Sequence, residues 1–335
     1  MEGWDARITP WSVSPADWSP SAPLERKAKF LLRWAVLAPS SHNSQPWLFH
    51  VRDGTIRIYG DEHRWLKVCD PERRELHLSL GCALENLIVA GEYFGFGHLV
   101  RYPEPEEHDG AAVTVTLHPG GRASQLRGLE LFDAIRLRRT NHRPYDATPV
   151  PQQTLERLRR ACEDPEIQLL LTSDADVRIA AQELLARAEA EQFADRAFRE
   201  ELGYWIGQGA FGTPWLLAKL EQMAITYLDV GRAAARRDAR ILASSPVFGV
   251  LWARRRDRAT LVRAGRVFER LYLVATMHGL SLQPVSPIVQ VQATRDALAA
   301  LLPGPGAIPL QPFRLGFAES ERAPTPRRPL EEVLL

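Results

Sequence analysis

The sequence predicts an α+β chain in which two halves repeat one plan, and three observations lead there. Two short β-rich runs, Trp47 to Val51 and Thr55 to Tyr59, flank Asp53-Gly54, a dipeptide that favours the tight turn of a hairpin. Two long stretches, Leu76 to Phe94 and Thr260 to His278, repeat apolar residues at helical spacing, Leu80, Ala83, Leu84, Leu87, Ile88 and Gly91 in the first and Leu261, Val267, Leu271 and Val274 in the second. The order of elements around these helices also recurs. The helix, loop and strand of Leu24 to Val51 are echoed by Thr154 to Leu171, and Leu76 to Gly97 by Val262 to Gly279.

Taken in order, residues 1 to 22 hold Trp4, Trp11 and Trp18 among prolines without periodicity, an extended arm packed by its aromatics and given no chemistry. Leu24 to Leu37 reads as a helix with an apolar face. Small residues in Leu76 to Phe94 imply close packing on another helix, and Gly95-Phe96-Gly97 reads as its stop. Val113 to Leu117 alternates as a strand. A boundary near residue 125 divides the chain into 1–125 and 126–335. Leu131 to Arg139 and Thr154 to Cys162 read as helices, Gln168 to Leu171 as a strand, and the alanine-rich, charged run from Ala175 to about Phe193 as a long helix. The segment Gly203 to Val250, with its glycines, aromatics, Pro214 and Pro246, reads as an irregular, lid-like insertion. After Gly279 come a proline-bounded loop, Leu282 to Pro287, and a last strand, Gln311 to Phe317.

Composition narrows the function. With 45% apolar residues in 335, the chain has ample material for a full core. Its 42 basic and 41 acidic residues nearly cancel, so no global field recruits nucleic acid or an anionic membrane. Three cysteines at wide spacing argue against a disulfide framework and for a reducing compartment. The N-terminus shows no cationic segment leading into an apolar one, and no apolar run approaches the roughly 20 residues of a membrane span. The expectation is a soluble, cytoplasmic protein with small or neutral partners.

The stretch Ala38 to Trp47, Ala-Pro-Ser-Ser-His-Asn-Ser-Gln-Pro-Trp, is the strongest candidate for chemistry. Its prolines hold the backbone away from helix and leave N–H groups free for a partner, between two rigid elements. An ordinary helix-to-strand turn with a packed Trp is the competing reading. The second half lacks this loop, carrying only Glu163-Asp164-Pro165-Glu166-Ile167 before its strand. It opens instead with Arg138-Arg139-Thr140-Asn141-His142-Arg143-Pro144-Tyr145, which the first half lacks.

Pro39 to Trp47 is similar to the flavin-contacting loop of the FMN-dependent nitroreductase superfamily. Arg139 to Tyr145 resembles that family's phosphate-binding start, Arg-Arg-Ser-x-Arg-x-Phe, with Thr140 for Arg and Asn141 for Ser. Arg328, with Arg327, matches the family's basic residue near the C-terminus. The complementary losses resemble the Acg-type branch, in which a homodimer is fused into one chain and one of two flavin sites is abandoned. The resemblance covers about Leu24 to Leu335. It implies a nitroreductase-like fold, two fused half-domains with mainly antiparallel sheets and interface helices about a pseudo-twofold axis.

It also implies FMN held between the halves. Arg139, Arg143, Arg327 and Arg328 would take the phosphate, with Thr140 and Asn141 bonding a phosphate or ribityl oxygen. Pro39, Ser40, Ser41 and Asn43 would line ribityl and ring, while Gln45, Pro46 and Trp47 brace the loop. Val285, Ser286 and Pro287 would supply backbone near the reactive edge, and His42 is left unassigned. The family reaction is hydride transfer from NAD(P)H through FMN to a nitroaromatic or quinone-type acceptor, and no catalytic residue is assigned. Two other classes stand beside it: a protein that sequesters FMN under the lid, and a flavin-free structural remnant. One complete site per chain allows a monomer.

Other motifs are set aside. His63, Cys69, His77 and Cys82 lack the close spacing of structural zinc. No Gly-x-Gly-x-x-Gly follows a predicted strand, and there is no Walker loop or Gly-x-Ser-x-Gly elbow. The run Ala253 to Arg258 reads as an exposed basic helix face.

Overall fold

The computed structural model describes residues 9–103, 110–213, 215–227, 231–319 and 323–335. Met1 to Ile8, which include the start searched for a leader and Trp4, lie outside the described residues, as does Pro214. The helices are α1 (Leu24–Ala35), α2 (Arg74–Tyr93), α3 (Leu131–Leu137), α4 (Gln152–Ala161), α5 (Ala175–Ala194), α6 (Arg196–Gly207), α7 (Trp215–Tyr227), α8 (Gly231–Ala243), α9 (Arg258–Met277), α10 (Pro287–Gln290) and α11 (Gln292–Ala299). The strands are β1 (Trp47–Arg52), β2 (Thr55–Gly60), β3 (Phe96–Arg101), β4 (Val113–Pro119), β5 (Gln168–Thr172), β6 (Val247–Ala253), β7 (Ser281–Pro284) and β8 (Ile308–Gly316).

They form two four-stranded sheets, ordered β1-β2-β4-β3 and β5-β6-β8-β7, every pairing within them antiparallel. Matching β1 to β5, β2 to β6, β3 to β7 and β4 to β8 makes the two orders identical. The repeat legible in the sequence is therefore a repeat of topology. One sheet lies wholly before residue 125 and the other wholly after it.

The halves meet at α2 and α9, and small residues set how closely. A Cβ built on Gly81 would lie 2.1 Å from the Val262 carbonyl oxygen, and one on Gly265 2.0 Å from that of Leu78. Beside this contact Glu85, fully buried, receives Arg127 and Arg270 at 2.7 Å and Arg266 at 3.3 Å. Burial opposes its ionisation, yet Arg127, Arg270 and Arg266 together hold the carboxyl well below its usual range.

Each half also lends chain to the other. The C-terminal residues run parallel to β1, with Phe49 N–H donating to the Val333 carbonyl at 2.7 Å and Leu335 N–H to that of Phe49 at 2.8 Å. This return carries Arg327 and Arg328 back beside the 38–47 loop. The N-terminal arm is packed by its aromatics as expected: Trp18 stacks on Phe94 at 4.6 Å and tilts onto Phe30 at 5.3 Å.

Several sequence expectations are corrected. The insertion is neither irregular nor bounded at Gly203 and Val250: it is the helical block α5 to α8 between β5 and β6, where the first half has only the Asp53-Gly54 turn. Alanine and other strong helix formers in α8 outweigh the scattered glycines. Val247 to Val250 belong to β6, whose seven residues are all buried. A strand covered on both faces shows no alternation, so it offers no period to read. Likewise β7 runs through the expected loop at Leu282 to Pro284, and β3 begins at Phe96 just past the helix stop. The basic run at Ala253 to Arg258 is a turn into α9 rather than a helix face, and there Arg255 pairs with Glu166 at 2.8 Å and Arg256 with Glu72 at 2.6 Å.

Candidate functional site

One cavity of about 780 Å³ lies among the 38–47 loop, the segment after α3, the β7–α10 turn, the C-terminal return and the helical insertion. That volume is toward the upper end of the range small-molecule sites occupy. Pro39, Ser40, Ser41, His42 and Asn43 form one wall. Their backbone is strained: His42, Asn43 and Gln45 all have positive φ, at 49°, 50° and 52°. Side chains secure that shape. Ser40 Oγ accepts from Gln45 N–H at 2.9 Å, and Gln45 Nε2 donates to the Asn43 carbonyl at 3.1 Å. Ser41 Oγ donates to Glu75, whose carboxylate also receives Arg74 at 2.6 Å and Gln290 Nε2 at 2.9 Å. Gln45 and Trp47 are buried and do not line the cavity, as the sequence suggested. His42 does line it, and burial pulls its imidazole pKa below the usual value, which favours the neutral ring at pH 7.

Three arginines gather against the start of this loop. Arg138 and Arg139 come from the extended chain after α3, and Arg327 from the C-terminal return. Arg138 lies 3.5 Å from Glu269 and over the Tyr272 ring at 4.9 Å. Arg327 Nη1 donates to Asn43 Oδ1 at 2.9 Å and Nη2 to the Leu37 carbonyl at 3.2 Å. The Nε–H of each of the three is buried without a hydrogen-bond partner. Burial and the neighbouring Arg138 bring the Arg139 guanidinium down to about 10. Burial and both neighbours push Arg327 well below its usual value. The nearest acid, Glu269, is pushed by burial up to about 8, ahead of the opposing pull of Arg138 and Arg327. Like charges thus lie together, with burial opposing the ionisation of the acid beside them, an arrangement that suits an anionic group.

The expected site residues divide. Pro39, Ser40, Ser41, Asn43, Arg139, Thr140, Val285, Ser286, Pro287 and Arg327 line the cavity together. Asn141, Arg143 and Arg328 do not. Asn141 is buried as a brace, its Nδ2 donating to Ser281 Oγ at 3.1 Å and to the Glu319 carbonyl at 2.8 Å. Arg143 points outward, 46% exposed and paired with Glu319. Arg328 is spent on Asp61 at 3.0 Å, the Gln45 carbonyl at 3.2 Å and the Glu332 carbonyl at 2.9 Å. Sequence reasoning missed Arg138, although it stands in the quoted Arg-Arg pair. It also missed Arg314, which donates to the carbonyls of Ile241, Asn141 and Arg143 at 3.1, 3.0 and 2.8 Å under the insertion.

The insertion is fastened over the loop side. Asn43 Nδ2 donates to the Ala210 carbonyl at 2.7 Å, and the Glu201 carboxylate accepts from Val68 and Cys69 N–H at 3.0 and 2.9 Å. Arg64 covers the Trp205 ring at 5.1 Å.

No protein-family model matches the chain. A protein of Mycobacterium tuberculosis named as the NAD(P)H nitroreductase Acg is 31% identical over 91% of this chain and 94% of its own length. The chain belongs to the Acg family of nitroreductases. Another M. tuberculosis protein named as an NAD(P)H nitroreductase is 28% identical over 96% of this chain and 94% of its own, and the Serratia protein PigM, of similar name, is 25% identical over 90% of each. Among solved structures, a Desulfitobacterium hafniense nitroreductase with bound FMN matches at 13% identity and TM-score 0.39 over 58% of this chain and 92% of its own. The FMN- and NADPH-dependent nitroreductase NfnB of a Sphigopyxis strain matches at 19% and 0.40 over 61% and 96%.

FMN, the cofactor expected from the sequence, passes a test of fit on this Acg-family cavity. The arginine cluster offers the unpartnered Nε–H groups of Arg139 and Arg327, and the charge of Arg138 beside them, to a phosphate. The lining also offers the hydroxyl and amide groups of Ser40, Ser41 and Asn43 and the apolar surfaces of Phe198, Phe211 and Phe268, which suits a polar chain ending in a flat ring. Among the described residues no group of three His, Cys, Asp or Glu side chains is placed to hold a metal ion, and no helix is long and apolar enough to cross a membrane.

Proposed function

We propose that this chain is an FMN-dependent oxidoreductase that passes a hydride from NAD(P)H to a nitroaromatic or quinone-type acceptor. The observation that carries the reading is the meeting, in one cavity, of the strained Pro39 to Asn43 loop with the clustered guanidiniums of Arg138, Arg139 and Arg327. The names of the Acg relatives agree with it.

In this reading Arg138, Arg139 and Arg327 hold the phosphate. Pro39, Ser40, Ser41, Asn43 and Thr140 line ribityl and ring, and Val285, Ser286 and Pro287 border the reactive edge. FMN, when bound, supplies the hydride chemistry, and the protein's part is to position and shield it. Glu75 fixes Ser41, and the Asn43 bridge to Ala210 draws the insertion inward against water. No protein acid or base is assigned.

Residues 1–125 and 126–335 are the fused halves, and they share one FMN. Arg127 follows the last strand of the first half as Arg327 follows that of the second. It is consumed by Glu85 at 2.7 Å and Glu92 at 3.0 Å, so it is not available to a second phosphate. A single chain then suffices as the working unit, and free, buried Cys69, Cys82 and Cys162 suit a reducing cytoplasm.

A second reading has its own support. The ties from Asn43 to Ala210 and from Glu201 to Val68 and Cys69 close the insertion onto the cavity, as a protein that sequesters FMN would need. One experiment tests both. The protein is saturated with FMN, flavin and protein are quantified, and bleaching is followed anaerobically with NADH, NADPH and dithionite. The enzyme reading expects one FMN per chain, nicotinamide reduction and reoxidation by a quinone. Reduction by dithionite alone selects sequestration, and no FMN binding overturns both.

A further inference from the structure

The N-terminal arm brings one side chain to the arginine cluster of the cavity. Trp11 lies in the cavity wall, with Arg139 at 4.5 Å and Arg327 at 4.8 Å from its ring centroid. Its indole N–H donates to the Thr325 carbonyl at 2.8 Å, and the Thr325 hydroxyl in turn accepts from Arg327 Nη1 at 2.7 Å. The ring and the C-terminal return are therefore locked to each other. The two guanidiniums come from segments 188 residues apart in the chain, and Arg138 adds a third charge beside them.

Three like charges in a buried site repel, and each is held singly: Arg139 donates to the Arg136 and Arg138 carbonyls at 2.8 Å, and Arg327 to Asn43, Leu37 and Thr325. A π face attracts each cation at no cost in charge, because the ring is neutral. A carboxylate in the same place would hold the arginines as well but would cancel the field that an incoming anion needs. Trp11 gives Arg139 and Arg327 one shared contact, in addition to the bonds that hold each singly, without cancelling their charge.

We infer that Trp11 is a positioning residue that pre-assembles Arg139 and Arg327 to receive a terminal phosphomonoester, so that the chain prefers a phosphorylated flavin to its unphosphorylated form. The inference rests on the FMN reading for its natural ligand, but its chemistry is that of any phosphate. Pre-assembly matters because ordering a flexible arginine on binding costs affinity that a fixed one does not lose.

The test compares Trp11→Leu, which fills the space without a π face, with Trp11→Phe, which retains one. Affinities of the full-length protein for FMN and for riboflavin are read by flavin fluorescence, and the melting temperature of the flavin-free protein is read with and without inorganic phosphate at constant ionic strength. Trp11→Leu is expected to weaken FMN about tenfold while changing riboflavin by less than about twofold, and to remove the phosphate-induced rise in melting temperature. Trp11→Phe is expected to keep most of both responses. An equal loss of FMN and riboflavin in Trp11→Leu, or no loss of either, overturns the inference. If the wild-type protein binds neither flavin, the FMN reading fails by itself and the phosphate response decides for Trp11: its loss in Trp11→Leu with retention in Trp11→Phe upholds the role, and an unchanged response in Trp11→Leu overturns it.

Discussion

Gly81 and Gly265 hold the same position in their respective helices, seven residues after Arg74 and Arg258, and there the backbones of α2 and α9 touch. The carbonyls each would strike if given a Cβ, those of Val262 and Leu78, are themselves matching positions four residues after the helix starts. The pseudo-twofold axis runs through a contact that only hydrogen atoms fit.

Gly81→Ala and Gly265→Ala should each therefore destabilise the whole chain rather than one half. The obstacle is backbone and cannot rotate away, so a loss of roughly 1–3 kcal/mol or more is expected. Denaturant midpoints measure it. An unchanged midpoint for both variants would show that the helices stand farther apart.

Arg138 and Arg143 should behave differently, because one faces the cavity and the other faces solvent. Arg138→Ala is expected to weaken FMN by roughly 1.5–3 kcal/mol, the worth of a charge-assisted bond to phosphate. Arg143→Ala should stay within about 0.5 kcal/mol of the parent, as exposed substitutions do. Flavin fluorescence titrations read both, and the reverse order would place the phosphate on the outer side of the 138–145 segment.

Glu201 fastens the insertion from outside the cavity, so Glu201→Ala separates the lid from flavin binding. Losing its two backbone partners at Val68 and Cys69 should speed NAD(P)H reduction of bound flavin by about tenfold if opening limits the rate, with FMN affinity unchanged. Stopped-flow reduction by nicotinamide and by dithionite gives the comparison. Equal rates in parent and variant would remove the lid from the kinetics.

Glu269 supplies a pH dependence. Its folded-state carboxyl titrates at about 8 against an ordinary 4.5, so between those values the folded chain holds a proton that the unfolded chain releases. Stability from this group is full below about 4.5 and falls as pH rises through about 8. Glu189, which burial pushes up to about 9, adds a slope of the same sign. Glu269→Gln should flatten the decline between pH 5 and 8 by its own share, seen in melting temperatures across pH. Identical slopes in parent and variant would mean that Glu269 is ionised in the folded chain.

The sequence by itself determined the local parts. Apolar residues at helical spacing marked α1, α2 and α9, and an alanine-rich charged run marked α5; α3, α4, β5 and β8 were legible as well. Alternation and the Asp53-Gly54 turn marked β1, β2 and β4, and the Pro39 to Trp47 loop stood out because its residues forbid regular structure. These features depend on neighbours within a few residues, and such neighbours are legible. The equal order of the two sheets was also foreshadowed, since a repeated sequence plan tends to repeat its packing. Tertiary structure alone decided the rest. β6 became visible only when it was covered on both faces, and the insertion proved helical because packing and alanine content outweighed its glycines. At the cavity, Arg138 was chosen over Arg143 and Arg327 over Arg328. In each pair both residues have the same chemistry, and the turn of the backbone as two distant segments dock sets which one points inward. Trp11 gave no local signal at all: its place between Arg139 and Arg327 exists only because the arm and the C-terminal return meet there, and no residue near it in sequence records that meeting.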